Sequence, residues 1–155
     1  MAAVGFVIPG DIKVYDGSNE VTTEQLFAGK KVVLFGLPGA FTPGCTKTHL
    51  PGYVNDYEKF KEKGIDEIYC LTVNDFFVCN AWKDFVGAND KVHVLADPFA
   101  NFTKVLGLDI DTPFAGIRCK RFSAIVENGV ITIFNLEEGG YGLTCSLSNA
   151  LLSAL

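Results

Sequence analysis

The chain has 155 residues and a formal net charge of −5, with 48% hydrophobic and 20% charged residues. This length supports one domain with a substantial core, and this composition argues against intrinsic disorder. The negative charge argues against a general nucleic-acid-binding protein, and no segment has the roughly 20 apolar residues of a membrane helix. We therefore predict a single domain over residues 1–155 that binds neither nucleic acid nor membrane.

The N-terminal segment from Met1 to Asp11 is apolar, but it is short and has no basic region, so it does not resemble a signal peptide. We expect a cytoplasmic protein. A removed presequence would leave the same start, so mitochondrial import stays an alternative. The last three residues, Ser153-Ala154-Leu155, are a weak relative of the peroxisomal S-K-L signal, which leaves that compartment open as well.

Hydrophobic periodicity and turn residues predict the elements in chain order. The predicted strands cover residues 11–15, 31–37, 66–73, 92–95, 121–127 and 130–135. The predicted helices cover residues 23–27 (with a cap at 22 or 23), 45–63 with a kink at Pro51, 75–86, 99–106 and 146–155. Asn128-Gly129 is a strong hairpin signal between the last two strands.

This order is strand–helix–strand, then a crossover, a hairpin and a closing helix. It is the order of a thioredoxin-like α/β fold, in which helices flank a central mixed sheet. The remaining elements form an N-terminal extension and an inserted segment.

The stretch from Pro38 to Cys45, P-G-A-F-T-P-G-C, links a buried strand to the following helix. Cys45 therefore lies at a helix N-terminus, where free backbone N–H groups and the positive end of the helix dipole gather. Both favour the thiolate, which is the nucleophilic form of cysteine. A helix start flanked by Pro-Gly is a poor core position, so we predict a reactive cysteine rather than a structural one.

The five cysteines of the chain do not indicate a metal site or a secreted disulfide framework. Their number is odd, their spacing is wide and C-x-x-C is absent; they are Cys45, Cys70, Cys79, Cys119 and Cys145. Cys45 and His49 lie one helical turn apart, but two further ligands at zinc spacing are not visible. We expect neither a metal nor an organic cofactor, and the missing C-x-x-C argues against a general disulfide oxidoreductase.

The cysteine loop and the residues after it, Thr46 to Gly52, resemble the active-site loop of peroxiredoxins, and more narrowly of the peroxiredoxin-5 (type II) group. Four further segments resemble the same group, namely Val73–Asp75, Leu95–Pro98, Lys120–Ser123 and Gly142–Leu147. The resemblance runs from about residue 5 to the C-terminus. It implies a thiol peroxidase that reduces hydrogen peroxide, alkyl hydroperoxides and peroxynitrite.

The resemblance also implies a role for four residues. Cys45 takes the peroxidatic role, Thr42 is its hydroxyl partner, Arg121 its guanidinium partner and Cys145 the resolving cysteine. Peroxide reduction needs an ionised sulfur, a polarised O–O bond and stabilisation of the leaving oxygen. A helix start, a hydroxyl and a fixed guanidinium are suited to supply these three.

Four more residues complete the expected site. We expect Pro38 to shield the sulfur from water and Gly44 to offer a backbone N–H. Phe114 lies in the segment that resembles the mouth of the peroxide pocket, where an apolar collar would admit organic hydroperoxides. His49 is expected to orient its neighbours rather than act as a base, because an ionised thiol needs no separate proton acceptor.

Attack on a peroxide leaves Cys45 as a sulfenic acid, and a second thiol must condense with it. Cys145 follows the glycine-dense segment Gly139–Gly142, so we expect an intrachain Cys45–Cys145 disulfide that a thioredoxin-type partner reduces. Cys70 stays the alternative, because some type II members, notably those of plants, have its equivalent and lack that of Cys145. Its position in an apolar strand favours a buried structural role.

Two other functions remain open. One is a one-cysteine peroxidase recycled by glutathione or glutaredoxin, and the other is a non-catalytic redox sensor or holdase in which Cys45 is the switch. The cysteine loop and the region around Phe114 resemble the dimer surface of related proteins. We therefore expect a homodimer.

Overall fold

The computed structural model describes residues 1–155. Its strands are β1 (Lys13–Asp16), β2 (Asn19–Thr22), β3 (Lys31–Gly36), β4 (Glu67–Thr72), β5 (His93–Ala96), β6 (Asp109–Thr112), β7 (Gly116–Cys119), β8 (Phe122–Glu127) and β9 (Val130–Leu136). Its α-helices are α1 (Thr23–Phe27), α2 (Leu50–Asn55), α3 (Tyr57–Glu62), α4 (Phe76–Val86), α5 (Asn101–Val105) and α6 (Ser148–Ser153). A π-helical turn, Cys45–His49, precedes α2, and a 3-10 turn, Glu138–Gly140, follows β9. None of the helices combines the length and the apolar character needed to cross a bilayer.

Seven strands form one mixed sheet in the order β2-β1-β5-β4-β3-β8-β9. The central strands β3, β4 and β5 are parallel, and the outer pairings are antiparallel. β6 and β7 form a separate two-stranded hairpin in the inserted segment. This arrangement confirms the predicted class, a central mixed sheet flanked by helices.

Successive side chains of the central strands point to opposite faces of the sheet and fill two separate cores. On β3, Val32 and Leu34 belong to one core, whereas Val33 and Phe35 belong to the other. Helices α1 and α5 contribute to the first core, and α2, α3, α4 and α6 contribute to the second. Cys45 packs in the second core, so the cysteine loop lies over this face of the sheet.

The sequence predicted a helix start well where a side chain caps the helix by accepting a hydrogen bond from a free backbone N–H. Thr22 caps α1 with a complete capping box, and the side chain of Asp75 caps α4. The closing helix begins at Ser148 rather than at the predicted residue 146. The N–H of Ser146 donates to Glu137 instead, before the helix begins.

Residues 45–63 are helical, as predicted, but they do not form one continuous helix. The structure divides this stretch into the π turn, α2 and α3, with a break at Asp56. Pro51 lies in the first turn of α2, where its missing N–H costs least, and the change of helical type comes directly before it. Strands β2, β6 and β7 were not predicted, because four-residue strands with exposed positions have a weak hydrophobic pattern.

The antiparallel pairing of β3 with β8 determines where the site forms. Its register places Phe122 opposite Gly36, so the residue before β8 lies beside the loop that follows β3. A Cβ on Gly36 would lie 2.3 Å from the Phe122 ring, so this close approach requires glycine. In this way residues 85 positions apart in the sequence, at 36 and 121, become neighbours.

Candidate active site

The loop after β3 is held by hydrogen bonds before any substrate is present. The N–H of Ala40 donates to Asn74 Oδ1 at 3.0 Å, and the hydroxyl of Thr42 donates to the Gly39 carbonyl at 2.7 Å. Phe41 between them has a φ of 63°, in the left-handed region that costs a non-glycine residue roughly 1–3 kcal/mol. The hydrogen bonds on either side of Phe41 must hold the loop firmly enough to offset this cost, as expected of a pre-organised site.

Cys45 lies in the first turn of the helix that starts after Thr42. The carbonyl of Thr42 accepts from the N–H of Thr46 at 3.0 Å, and Pro43 occupies the first helical position. The side chain of Cys45 is fully buried. Its sulfur therefore lies in a medium of low dielectric constant near the positive end of the helix, where electrostatic interactions are strong.

Arg121 provides the positive charge beside this sulfur. Its Nη2 donates to Cys45 Sγ at 3.4 Å, its Nη1 donates to His49 Nδ1 at 3.0 Å, and its Nε donates to the Tyr141 carbonyl at 3.4 Å. Only 4% of Arg121 is exposed. A planar guanidinium held at three points has a defined orientation toward the sulfur.

His49 orients this guanidinium. Burial, and to a lesser extent the charge of Arg121, lower the pKa of His49 to about 3, so the ring is neutral in the physiological range. Because Nδ1 accepts from Arg121, the ring proton lies on Nε2, which donates to the Ser146 carbonyl at 3.1 Å. Both ring nitrogens are committed, and this agrees with the expectation that His49 orients its neighbours rather than acts as a base.

A pocket of about 430 Å³ opens at the guanidinium. Five predicted site residues line it, namely Pro38, Thr42, Gly44, Phe114 and Arg121. Pro43, Tyr141 and Leu143 complete the lining. Sequence reasoning did not identify Tyr141 and Leu143, which reach this pocket only through the turn after β9.

Gly44 brings the backbone close to Leu143 and to the guanidinium of Arg121. A Cβ there would lie 3.1 Å from Leu143 Cδ1 and 3.3 Å from Arg121 Nη2. Both contacts are tighter than usual, so a side chain would displace the guanidinium or close the pocket. The glycine keeps this part of the pocket open.

Thr42 lies at the pocket, but it does not hydrogen-bond to the sulfur. Its hydroxyl proton is directed to the Gly39 carbonyl. The oxygen lone pairs of Thr42 remain available, so this hydroxyl can accept a hydrogen bond from a ligand in the pocket.

Cys145 has surroundings unlike those of Cys45. It is half-buried, its Sγ donates to the Leu136 carbonyl at 3.5 Å, and it is not bonded to Cys45, since all five cysteines are free thiols. Burial and the negative charge of Glu137 raise the pKa of Cys145. The disulfide expected from the sequence therefore stays a prediction.

The three remaining cysteines are protonated core residues. Cys70, Cys79 and Cys119 are buried, and burial raises the pKa of each thiol, in the case of Cys79 to about 12. Cys70 lies on the central strand β4, between β3 and β5. No three His, Cys, Asp or Glu side chains are arranged so that they could hold a metal ion.

The fold and the buried cysteine beneath a fixed guanidinium define a thioredoxin-like thiol peroxidase. The Redoxin family model matches residues 4–148. The chain is 44% identical to peroxiredoxin-2C of Oryza sativa subsp. japonica, over 99% of this chain and 98% of the relative. It is similar to the crystal structure of reduced Prx3 from Vibrio vulnificus in complex with hydrogen peroxide, with a TM-score of 0.95, 42% identity and full coverage of both chains. The oxidised Prx3 of the same organism gives a TM-score of 0.90 at 41% identity, also with full coverage.

The chain belongs to the Redoxin family, and within it to the peroxiredoxins of the type II, peroxiredoxin-5-like group. It is a thiol peroxidase. This confirms the family, the fold class and the enzyme class that the cysteine loop and the four other segments indicated.

Proposed function

We propose that this peroxiredoxin reduces hydrogen peroxide, alkyl hydroperoxides and peroxynitrite at Cys45, forms a Cys45–Cys145 disulfide, and is recycled by a thioredoxin-type dithiol. The observation that carries the proposal is the 3.4 Å contact between Arg121 Nη2 and Cys45 Sγ in a fully buried setting. A fixed cation at this distance stabilises both the attacking thiolate and the charge that develops on the leaving oxygen.

In the first step the Cys45 thiolate attacks one oxygen of the hydroperoxide. An S–O bond forms, the O–O bond breaks, and the second oxygen leaves as alkoxide or hydroxide and takes a proton from water. Arg121 donates to the oxygens as the negative charge moves onto them. The hydroxyl of Thr42 donates its own proton to the Gly39 carbonyl, so its oxygen accepts a hydrogen bond from the O–H of the hydroperoxide and orients the substrate.

The mouth of the pocket supports organic hydroperoxides as substrates. Phe114 is 69% exposed there, and Tyr141 and Leu143 extend the same apolar rim. We expect Phe114→Ala to reduce the rate with tert-butyl hydroperoxide relative to that with hydrogen peroxide, measured as the ratio of the two kcat/KM values. Phe77→Ala is the control, since this phenylalanine is equally exposed but lies on α4 outside the pocket. An unchanged ratio in Phe114→Ala would count against the collar.

In the second step the thiol of Cys145 condenses with the sulfenic acid of Cys45, so that an S–S bond forms and water leaves. A dithiol partner then reduces this disulfide by thiol–disulfide exchange. Partial exposure of Cys145 supports its assignment as the resolving cysteine. Cys70 is a weaker candidate, because its participation would require the central strand β4 to be displaced.

Peptide mapping under non-reducing conditions tests this pairing after one equivalent of peroxide. We expect a Cys45–Cys145 disulfide, and we expect Cys145→Ser to keep the first turnover but to lose continuous turnover with thioredoxin. A Cys45–Cys70 disulfide, or Cys45 joined only to added glutathione, would refute the intrachain pairing and favour the alternatives. Slow oxidation of Cys45, at the rate of free cysteine, would instead indicate a redox sensor.

An apolar patch beside the cysteine loop supports a homodimer. Phe41 and Phe85 are 50% and 66% exposed, and their ring centroids are 5.5 Å apart. Large apolar groups that cluster at a surface mark an interaction site. Sedimentation of the wild type and of Phe85→Ser tests this, since loss of the patch should shift the protein toward the monomer.

A further inference from the structure

Glu137 is a buried carboxylate for which the peroxide chemistry has no use. It follows β9, is only 2% exposed, and its backbone N–H donates to the carbonyl of Arg121 at 3.1 Å. Its side chain accepts four hydrogen bonds, and all four come from Thr144 and Ser146, the residues on either side of Cys145.

The four hydrogen bonds fix both the backbone and the side chains of these neighbours. Thr144 donates its N–H at 2.8 Å and its hydroxyl at 2.7 Å, and Ser146 donates its N–H at 2.8 Å and its hydroxyl at 2.5 Å. Burial alone would raise the pKa of Glu137, but these hydrogen bonds outweigh it and lower the pKa to about 2. Hydrogen bonds to an ionised acceptor are about twice as strong as neutral ones.

The same segment is also bound from the side of the peroxide site. The carbonyl of Ser146 accepts from His49 Nε2 at 3.1 Å and from the Tyr53 hydroxyl at 2.6 Å. His49 also accepts a hydrogen bond from Arg121, so residues 144–146 are connected through His49 to the guanidinium beside Cys45. Their conformation is therefore that of the pocket with both cysteines as free thiols.

In this conformation the two thiols have separate partners. Cys145 Sγ donates to the Leu136 carbonyl, whereas Cys45 is fully buried beneath Arg121. A disulfide requires two Cα atoms within about 7 Å and two converging Cβ atoms. With both neighbours of Cys145 attached to one carboxylate, its backbone cannot shift until those hydrogen bonds open.

We propose that Glu137 is a positioning residue that clamps the Cys145 segment in the reduced enzyme and must release it for the Cys45–Cys145 disulfide to form. This rests on the proposed function, in which Cys145 resolves the sulfenic acid. Since the clamp stabilises only the dithiol state, it favours reduction of the disulfide and makes the enzyme the stronger oxidant of its dithiol partner.

The test is the equilibrium between the Cys45–Cys145 disulfide and a dithiothreitol redox buffer, measured by non-reducing peptide mapping. We expect Glu137→Ala to shift this equilibrium about tenfold toward the disulfide, which corresponds to a reduction potential about 30 mV more negative. Thr144→Val removes one hydrogen bond at an exposed residue and should shift it about two- to threefold in the same direction. Glu138→Ala is the matched control, because Glu138 is an exposed neighbour without side-chain hydrogen bonds, and it should leave the potential unchanged.

Glu137→Gln separates charge from shape. Its amide oxygen can take the place of Oε2, which accepts three of the hydrogen bonds, and its amide nitrogen can donate to the Thr144 hydroxyl. We expect a shift between those of the wild type and Glu137→Ala. If Glu137 had only a structural role, its replacement would destabilise the reduced and the oxidised enzyme equally. The reduction potential of the disulfide would then not change.

A wild-type potential in folded Glu137→Ala would overturn the clamp. If that variant does not fold, wild-type potentials in both Glu137→Gln and Thr144→Val would overturn it. Failure of the wild type to form a Cys45–Cys145 disulfide would overturn the clamp together with the pairing. Peroxide consumption in the first turnover is measured separately, so it shows whether the peroxidase assignment of Cys45 survives either result.

Discussion

The two cysteines proposed to form the disulfide are held in different ways. Cys45 is fully buried at a helix start, beneath a guanidinium that is itself fixed by His49 and a carbonyl. Cys145 is half-buried, and its own contact is a single hydrogen bond to the Leu136 carbonyl, while Glu137 anchors its neighbours. Cys45, the proposed nucleophile, thus has a fixed cation beside it, whereas the segment of Cys145 is held by hydrogen bonds that can be exchanged for water.

Cys70 shows that burial alone does not make a cysteine reactive. It shares the second core with Cys45 and is equally inaccessible, but burial raises the pKa of Cys70, and Arg121 donates its hydrogen bond to Cys45 instead. Low dielectric constant penalises a lone thiolate and strengthens its attraction to a fixed positive charge. The difference between the two residues therefore lies in the guanidinium and the helix start.

The largest expected effect is at the nucleophile. Cys45→Ser should reduce hydroperoxide consumption by at least about a thousandfold, because a hydroxyl is not ionised and cannot form the sulfenic acid. Competitive consumption assays at neutral pH measure this. Cys79→Ser is the control, since Cys79 is a protonated core thiol. Wild-type consumption by Cys45→Ser would remove the distinction between Cys45 and the other cysteines.

The next effect tests the orientation of the guanidinium. Arg121→Lys retains the charge but cannot bond to the sulfur, to His49 and to a carbonyl at once, so we expect the rate of sulfenic acid formation to fall about a hundredfold. Arg118→Lys is the matched control, because Arg118 binds only the Ala115 and Pro38 carbonyls. Equal losses in both variants would contradict a specific role for Arg121.

A smaller effect is expected from the residue behind the guanidinium. His49→Gln should slow the first turnover about tenfold, since the amide cannot span Arg121 and Ser146 as the ring does. With a pKa near 3, His49 should not titrate in the rate profile between pH 5 and 8. Stopped-flow rates across this range provide the measurement. A wild-type ionisation near pH 6.5 that disappears in His49→Gln would show that the ring acts as a base.

The smallest effect comes from a charged cluster outside both cysteine regions. His93 Nδ1 lies 3.0 Å from Asp16 Oδ2, and His93 Nε2 lies 3.0 Å from Glu67 Oε2. The hydrogen bond that the Asp16 carboxylate accepts from His93 is the main reason that the pKa of His93 is raised. A raised folded-state pKa contributes stability that is fully present below about pH 6.5 and is lost as the pH rises through the folded value. We expect His93→Gln to lower the free energy of unfolding by up to about 1 kcal/mol at pH 5.5. Urea unfolding should show a smaller difference at pH 9, and a loss that grows with pH would contradict the assignment.

Several elements could be predicted because their signals are local. Thr22 and Asp75 cap helices through their own side chains, Asn128-Gly129 forms a turn, and Cys45 follows Pro-Gly at a helix start. Each signal depends on the residue's immediate neighbours in the chain. The family resemblance added the roles of residues that are far apart, such as Arg121.

The interior network could not be predicted from local pattern. His49 and Ser146 are 97 positions apart, and Tyr53 and Ser146 are 93 apart. Nothing near Glu137 in the sequence indicates that its carboxylate binds the two neighbours of Cys145. The contacts of His49 and Tyr53 with Ser146 arise only when the segment after β9 packs against the π turn and α2, and those of Glu137 depend on the conformation of the turn that follows it.

By itself, the sequence determined that this chain folds as a mixed α/β domain and presents Cys45 at a helix N-terminus, because hydrophobic periodicity and capping act over a few residues. Only the tertiary structure decided what surrounds that sulfur. The antiparallel register of β3 and β8 brings Arg121 to it, and the turn after β9 lets Glu137 hold the segment of the second cysteine. The physical reason is that a long-range charge contact depends on strand pairing and packing across the whole domain, which no short stretch of sequence specifies.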